Sequence, residues 1–154
     1  MRCRRAEPRD VDRLREITVA AKAHWGHDLA WVESWVAAGD FPGVAVARDE
    51  ARLVEVDAVV AGWSALQERG DVGWLEDLWV DPPYMGRGVG RTLFLDAALR
   101  ARAAGARSLE WEADLDAVGF YERMGGRHIR DSDVTEFGRI LPIMALELEP
   151  DSVL

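Results

Sequence analysis

The chain has a single cysteine, Cys3, so it closes no internal disulfide, and no Cys/His cluster with metal-ligand spacing accompanies it. It lacks any apolar run approaching the roughly 18 residues of a membrane-spanning helix. Its basic start, Met1-Arg2-Cys3-Arg4-Arg5, leads into Ala6-Glu7-Pro8-Arg9-Asp10 rather than the apolar stretch of a secretory leader. Internal repeats and low-complexity tracts do not occur. Positive charge is scarce as well. Lys plus Arg number 19 against 28 Asp plus Glu, a formal net charge of −9, which is the opposite of a nucleic-acid-binding footprint. These absences point to a cytoplasmic protein with neither a membrane nor a nucleic acid as partner.

What is present suffices for a core. At 154 residues and 49% hydrophobic composition, the chain fits one compact domain over 1–154 and is too short for two ordinary ones. Its organising stretch is Leu75-Glu76-Asp77-Leu78-Trp79-Val80-Asp81-Pro82-Pro83-Tyr84-Met85-Gly86-Arg87-Gly88-Val89-Gly90-Arg91-Thr92-Leu93. It reads as a strand ending at a proline pair, a glycine-rich turn, and a helix whose apolar positions Val89, Leu93, Phe94, Ala97 and Ala101 share one stripe. Such an arrangement makes an anion site. The first N–H groups of the helix lack partners, the macrodipole there is positive, and the glycines let the backbone approach a phosphate closely. Neither nucleotide fingerprint fits, because no Gly-Lys-Ser or Gly-Lys-Thr closes the loop and the third glycine of Gly86-Arg87-Gly88-Val89-Gly90 comes too early for Gly-x-Gly-x-x-Gly.

Residues 2–6 read as a first strand, and Glu7-Pro8-Arg9-Asp10 opens a helix with Val11, Leu14, Ile17, Val19 and Ala21 as its apolar face. Gly26 breaks that helix, and a second is predicted over residues 29–38. Between and within them lie His24, Trp25, His27, Trp31 and Trp35. Trp31 and Trp35, four apart on one helix face, read as packing core. His24 and His27 invite a metal reading, but a glycine interrupts the helix that would align them and no carboxylate or cysteine stands at a recognised spacing, so no metal is expected. From Gly43 the pattern alternates through Val44-Ala45-Val46-Ala47, residues 52–56, 59–66 and 72–80, which read as meander strands. The helix after the glycine loop should end near Gly105. A strand at 108–113, a short helix at 114–124, a strand from Arg127 and a last strand within 139–148 follow, with a polar loop at 131–138. Pro142 in the last strand argues for an edge position or a bulge.

The organising stretch resembles the acyl-CoA loop of the GNAT superfamily of N-acetyltransferases, where a strand ending Leu-x-Val-x-Pro leads into Arg/Gln-x-x-Gly-x-Gly/Ala and a helix. Here these are Leu78-Trp79-Val80-Asp81-Pro82 and Met85-Gly86-Arg87-Gly88-Val89-Gly90. A second block, Asp114-Leu115-Asp116-Ala117-Val118-Gly119-Phe120-Tyr121-Glu122-Arg123-Met124-Gly125-Gly126, is similar to the family's later helix, usually Asn-x-x-Ala-x-x-Leu-Tyr-Glu-Lys-x-Gly-Phe. Three positions depart. Met85 stands where Arg or Gln is usual, Asp114 where Asn is frequent, and Gly126 where Phe closes the block. The change at Met85 removes one side-chain contact and leaves the backbone amides.

The resemblance implies an α/β fold with a mixed, mostly antiparallel sheet of six or seven strands, in which two parallel strands, 72–80 and 108–113, splay into a V. It implies acetyl-CoA as cofactor, its pantetheine arm paired with the main chain of Leu78, Trp79 and Val80. The phosphates would be held by Met85, Gly86, Arg87, Gly88, Val89, Gly90, Arg91 and Thr92, with Asp114 and Tyr121 as further contacts. Acyl transfer from a thioester needs a neutral amine, a stabilised oxyanion and a proton for the thiolate. Tyr121 matches the family's tyrosine near the CoA sulfur and is the expected acid. Glu76 is the first expectation for the base, taken by strand alternation to share the face of Trp74, Leu78 and Val80, and Glu112 is the second. The helices at 7–38 and the loop at 131–138 would line the acceptor, a small amine or a peptide N-terminus, and an acidic surface favours a cationic one. A non-catalytic acyl-CoA sensor is the rival function, and a homodimer is compatible with either.

Overall fold

The computed structural model describes residues 1–135 and 138–149. Its strands are β1 (Arg2–Arg5), β2 (Ala51–Val56), β3 (Val59–Arg69), β4 (Val72–Val80), β5 (Ser108–Glu112), β6 (Arg127–Asp131) and β7 (Pro142–Glu147). Its helices are α1 (Val11–His24), α2 (Leu29–Gly39), α3 (Phe41–Ala47), α4 (Val89–Ala103) and α5 (Val118–Arg123). The strands form one mixed, mostly antiparallel sheet in the order β1-β2-β3-β4-β5-β7-β6, with β4 and β5 parallel. This is the α/β architecture expected. The parallel ladder registers Val72, Gly73 and Trp74 with Ser108, Leu109 and Glu110, while β4 runs on to Val80. The chain gathers into two compact units, Met1–Ala65 with Asp77–Asp96, and Leu66–Glu76 with the described residues from Ala97.

In the first unit, α1 buries Leu14, Ile17, Thr18, Ala21 and Lys22, the three-and-four spacing of one helix face. Leu14 and Ile17 pack with Leu53, Trp63, Ala45, Ala51 and Ala65 into one core cluster. Thr18, rather than the expected Val19, turns inward because its hydroxyl serves two partners. It donates to the Leu14 carbonyl at 2.8 Å and accepts from the buried Trp63 Nε1 at 3.0 Å. On α2, which Asp28 caps by accepting from the Trp31 amide at 3.1 Å, the fully buried residues are Val32 and Val36. The expectation that Trp31 is core is corrected: it is 40% exposed, because the helix turns its aliphatic pair to the core and leaves the indole on the flank.

Val44-Ala45-Val46-Ala47 lies in helix α3, not in a strand. Pro42 in the first turn is pre-set for helix, and burial of Pro42 and Ala45, three apart, satisfies a helical period that four alternating small residues mimic poorly. Residues 51–56 form β2, which pairs with both β1 and β3.

Arg4 of β1 donates to both carboxylate oxygens of the buried Asp10, at 2.9 and 3.0 Å, and its Nε binds Glu55. The Arg4 hydrogen bonds hold the Asp10 carboxyl below the usual carboxylate range, helped by the Glu7 amide and opposed by burial. A depressed folded value means this stabilisation is full above the unfolded carboxylate pKa of about 4 and lost as pH falls through the folded one. Asp10→Asn is therefore expected to cost about 1.5–3 kcal/mol at neutral pH, with the gap to wild type closing in acid. Urea unfolding midpoints at a series of pH values check this, and a gap independent of pH contradicts it.

In the second unit, Leu109 and Trp111 of β5 are buried, and Gly73 lies so close to α4 that a Cβ there would sit 2.6 Å from the Ala101 Cβ. β7 is interior, between β5 and β6, so the edge expectation for Pro142 is corrected. Proline is tolerated because it is the first residue of the strand. The register irregularity falls instead on β6, between His128 and Arg130. Among the described residues no helix is long and apolar enough to cross a membrane.

Candidate functional site

The glycine loop belongs to the first unit. After β4, Asp81 starts a single 3-10 turn, Pro82–Tyr84, in which the Tyr84 amide bonds the Asp81 carbonyl at 2.8 Å and the Met85 amide the Pro82 carbonyl at 3.1 Å. Met85 is extended, and Gly86 and Gly88 take φ of +77° and +86°, values that side chains rarely adopt. The Thr92 amide and hydroxyl both donate to the Gly88 carbonyl, at 3.0 and 2.9 Å, so the helical ladder begins there. The N–H groups of the preceding turn, at Val89, Gly90 and Arg91, have no acceptor within the helix. Among the described residues, a Cβ built on Gly86 meets nothing within 4 Å and one on Gly88 meets only the Met1 methyl at 3.9 Å, so the loop is open on that side. Arg87 and Arg91 are exposed beside it, with the Arg87 guanidinium 5.3 Å from the Tyr84 ring.

The helix start is seated by apolar packing. Val89 and Leu93 are buried against Val54 and Ala61, with Leu78, Val80 and Tyr84 around them. Gly62 is required here, since a Cβ would lie 2.8 Å from both the Trp79 carbonyl and Val89 Cγ1.

Trp74 Nε1 donates to Glu76, which puts those two side chains on one face of β4, and Trp79 Nε1 donates to Asp77 at 3.0 Å, which pairs the next two. Leu78 and Val80 pack against the Val89–Leu93 cluster. Trp79 instead packs against the Leu14–Trp63 core, with the Lys22 ammonium 5.8 Å from its ring and 5.6 Å from that of Trp35. Asp77 shares the face of Trp79, as strand alternation between the two predicts, and sequence reading missed Lys22 beside it.

The second unit carries the remaining expected residues. Tyr121 is 7% exposed, its ring 4.9 Å from Trp111 and 5.1 Å from Phe120. Its carbonyl accepts from the Gly126 amide at 2.9 Å, and a Cβ on Gly126 would lie 2.6 Å from Trp111 Cζ2. Trp111 thus explains why glycine replaces the family's closing phenylalanine. Asp114 caps the turn at 115–117, accepting from the Asp116 amide at 3.3 Å, and lies 3.8 Å from Arg139 Nη2. Glu76 is exposed in this unit and accepts from Trp74 Nε1, and the Arg69 guanidinium lies 4.9 Å from the Trp74 ring. Glu112 is exposed at the end of β5. In the loop expected over the acceptor, Ser132 and Leu141 are cross-bonded at 2.8 and 2.9 Å, and residues 136 and 137 lie outside the described residues.

Residues 11–126 match the model of the acetyltransferase (GNAT) family, and the chain belongs to that family. It is 29% identical over 98 residues to an uncharacterized N-acetyltransferase of Methanocaldococcus jannaschii, covering 62% of this chain and 43% of that one. The chain spans about two fifths of the length of the curated relatives it matches. In fold it is similar to the PaiA N-acetyltransferase of Thermoplasma acidophilum, solved in complex with coenzyme A (TM-score 0.80, 17% identity, 95% of this chain and 98% of that one). It is similar too to the ribosomal-protein-S18-alanine N-acetyltransferase of Escherichia coli (TM-score 0.72, 21% identity, 99% and 97%).

Proposed function

We propose that this protein transfers an acetyl group from acetyl-CoA to a primary amine, of a small molecule or a peptide N-terminus, by direct attack in a ternary complex. The observation that carries the reading is the glycine loop: two left-handed glycines and the first turn of a long helix present backbone donors to open space, as a pyrophosphate requires. Residues 85–92 hold the phosphates, and the main chain of Leu78, Trp79 and Val80 holds the pantetheine arm. Asp114 is a further cofactor contact. Direct attack fits the placement of the single thiol, since Cys3 packs against the Val54–Leu93 cluster.

The neutral amine attacks the thioester carbonyl, the tetrahedral intermediate expels the thiolate, Tyr121 protonates the sulfur, and Glu76 takes or relays the amine proton. Initial velocities measured over both substrates test the ternary complex. Intersecting double-reciprocal lines are expected, and parallel lines would indicate an acetyl-enzyme. Glu76→Gln is expected to depress the rate mainly on the low-pH side of the profile, where the acceptor is protonated. An unchanged profile would move the base to Glu112 or to water.

A further inference from the structure

We infer that Arg13 is a positioning residue for acetyl-CoA, bracing the entrance of the glycine loop through Asp81; this rests on the reading of that loop as the cofactor site. The brace starts from an irregularity in β3. Val54 pairs with Gly62 and Glu55 with Val60, which leaves Ala61 as the extra residue of a bulge. A bulge turns main-chain groups out of the regular ladder, and the two carbonyls here enter one hydrogen-bonded unit. The Val60 carbonyl accepts from Arg13 Nε at 3.2 Å and Nη2 at 2.9 Å, and the Ala61 carbonyl from the Asp81 amide at 2.8 Å. Arg13 Nη2 closes the unit with a 2.7 Å bond to Asp81 Oδ2, on a residue only 9% exposed.

From Asp81 onward the chain has little freedom. Pro82 and Pro83 fix their own φ, and two backbone hydrogen bonds close the turn over Tyr84 and Met85. The first permissive torsions are those of Gly86 and Gly88. The position of Asp81 therefore sets where the donors of the loop stand, and Arg13 sets Asp81. A guanidinium suits this role because its planar fork reaches a carbonyl and a carboxylate at once, which a lysine ammonium, as a point charge, does less well. Arg15, on the same helix, supplies the contrast, since it pairs with Asp12 at 3.0 Å and Asp40 at 2.7 Å rather than with the loop.

The test compares wild type with Arg13→Ala, Arg13→Lys and Arg15→Ala, using calorimetric titration with acetyl-CoA, turnover at saturating acetyl-CoA, and hydrogen exchange of the segment 82–92 without ligand. Arg13→Ala is expected to raise Kd roughly tenfold, the scale of one charge-assisted bond lost, while saturated turnover falls less than about threefold. Arg13→Lys should fall between, Arg15→Ala should bind as wild type, and exchange at 82–92 should quicken in Arg13→Ala while that at 127–131 does not change. If Arg13→Ala fails to fold, Arg13→Lys decides by the same Kd and exchange readouts. Wild-type Kd and loop exchange in the Arg13 variants, with or without a loss of melting temperature, would overturn the inference and leave Arg13 a purely structural residue. A wild-type protein that binds no acetyl-CoA would remove the cofactor reading, and the inference with it.

Discussion

Gly88→Val is expected to abolish acetyl-CoA binding while the protein stays folded. At φ of +86° a β-branched side chain is strained by about 1–3 kcal/mol, within the stability of an ordinary domain. The added atoms meet little of the chain, because among the described residues the neighbour of a Cβ there is the Met1 methyl at 3.9 Å. They project into the space left open before the first turn of α4, where the pyrophosphate would lie. Calorimetry with acetyl-CoA, alongside a circular dichroism melt, separates the two effects. Undiminished affinity in a folded Gly88→Val protein would sink the assignment of the loop.

Tyr121→Phe is expected to lower turnover by roughly 10²-fold or more, the usual scale for a general acid, with little change in the apparent affinity for acetyl-CoA. The substitution removes one oxygen and keeps the ring that packs 4.9 Å from Trp111, and the hydrogen bond that ties Gly126 to residue 121 uses the main chain and remains. Single-turnover measurement with a good acceptor isolates the chemical step. Wild-type turnover in the variant would remove the acid assignment and leave Tyr121 a packing residue.

Much of this was legible in the residues because local rules and tertiary packing agree there. The stripe Val89, Leu93, Phe94, Ala97 and Ala101 is buried throughout its length, and the proline pair and glycines mark the loop boundaries where backbone geometry demands them. Reading failed where two periods fit one segment. Val44-Ala45-Val46-Ala47 taken alone fits alternation, and Pro42 in the first turn together with the contact of Ala45 to the α1 cluster decides for helix. The four-residue spacing of Trp31 and Trp35 fits a core face equally well, whereas Val32 and Val36 fill the space.

The most direct test of the central claim is acetyl-CoA-dependent thiol release by the purified protein over a panel of amines, with mass spectrometry of the acceptor. The account predicts thiol release above the uncatalysed rate with at least one amine, one acetylated acceptor formed per thiol, and both lost in Tyr121→Phe. Tight binding of acetyl-CoA with no acceptor-dependent thiol release across small amines and peptide N-termini would contradict it and make the protein an acyl-CoA sensor.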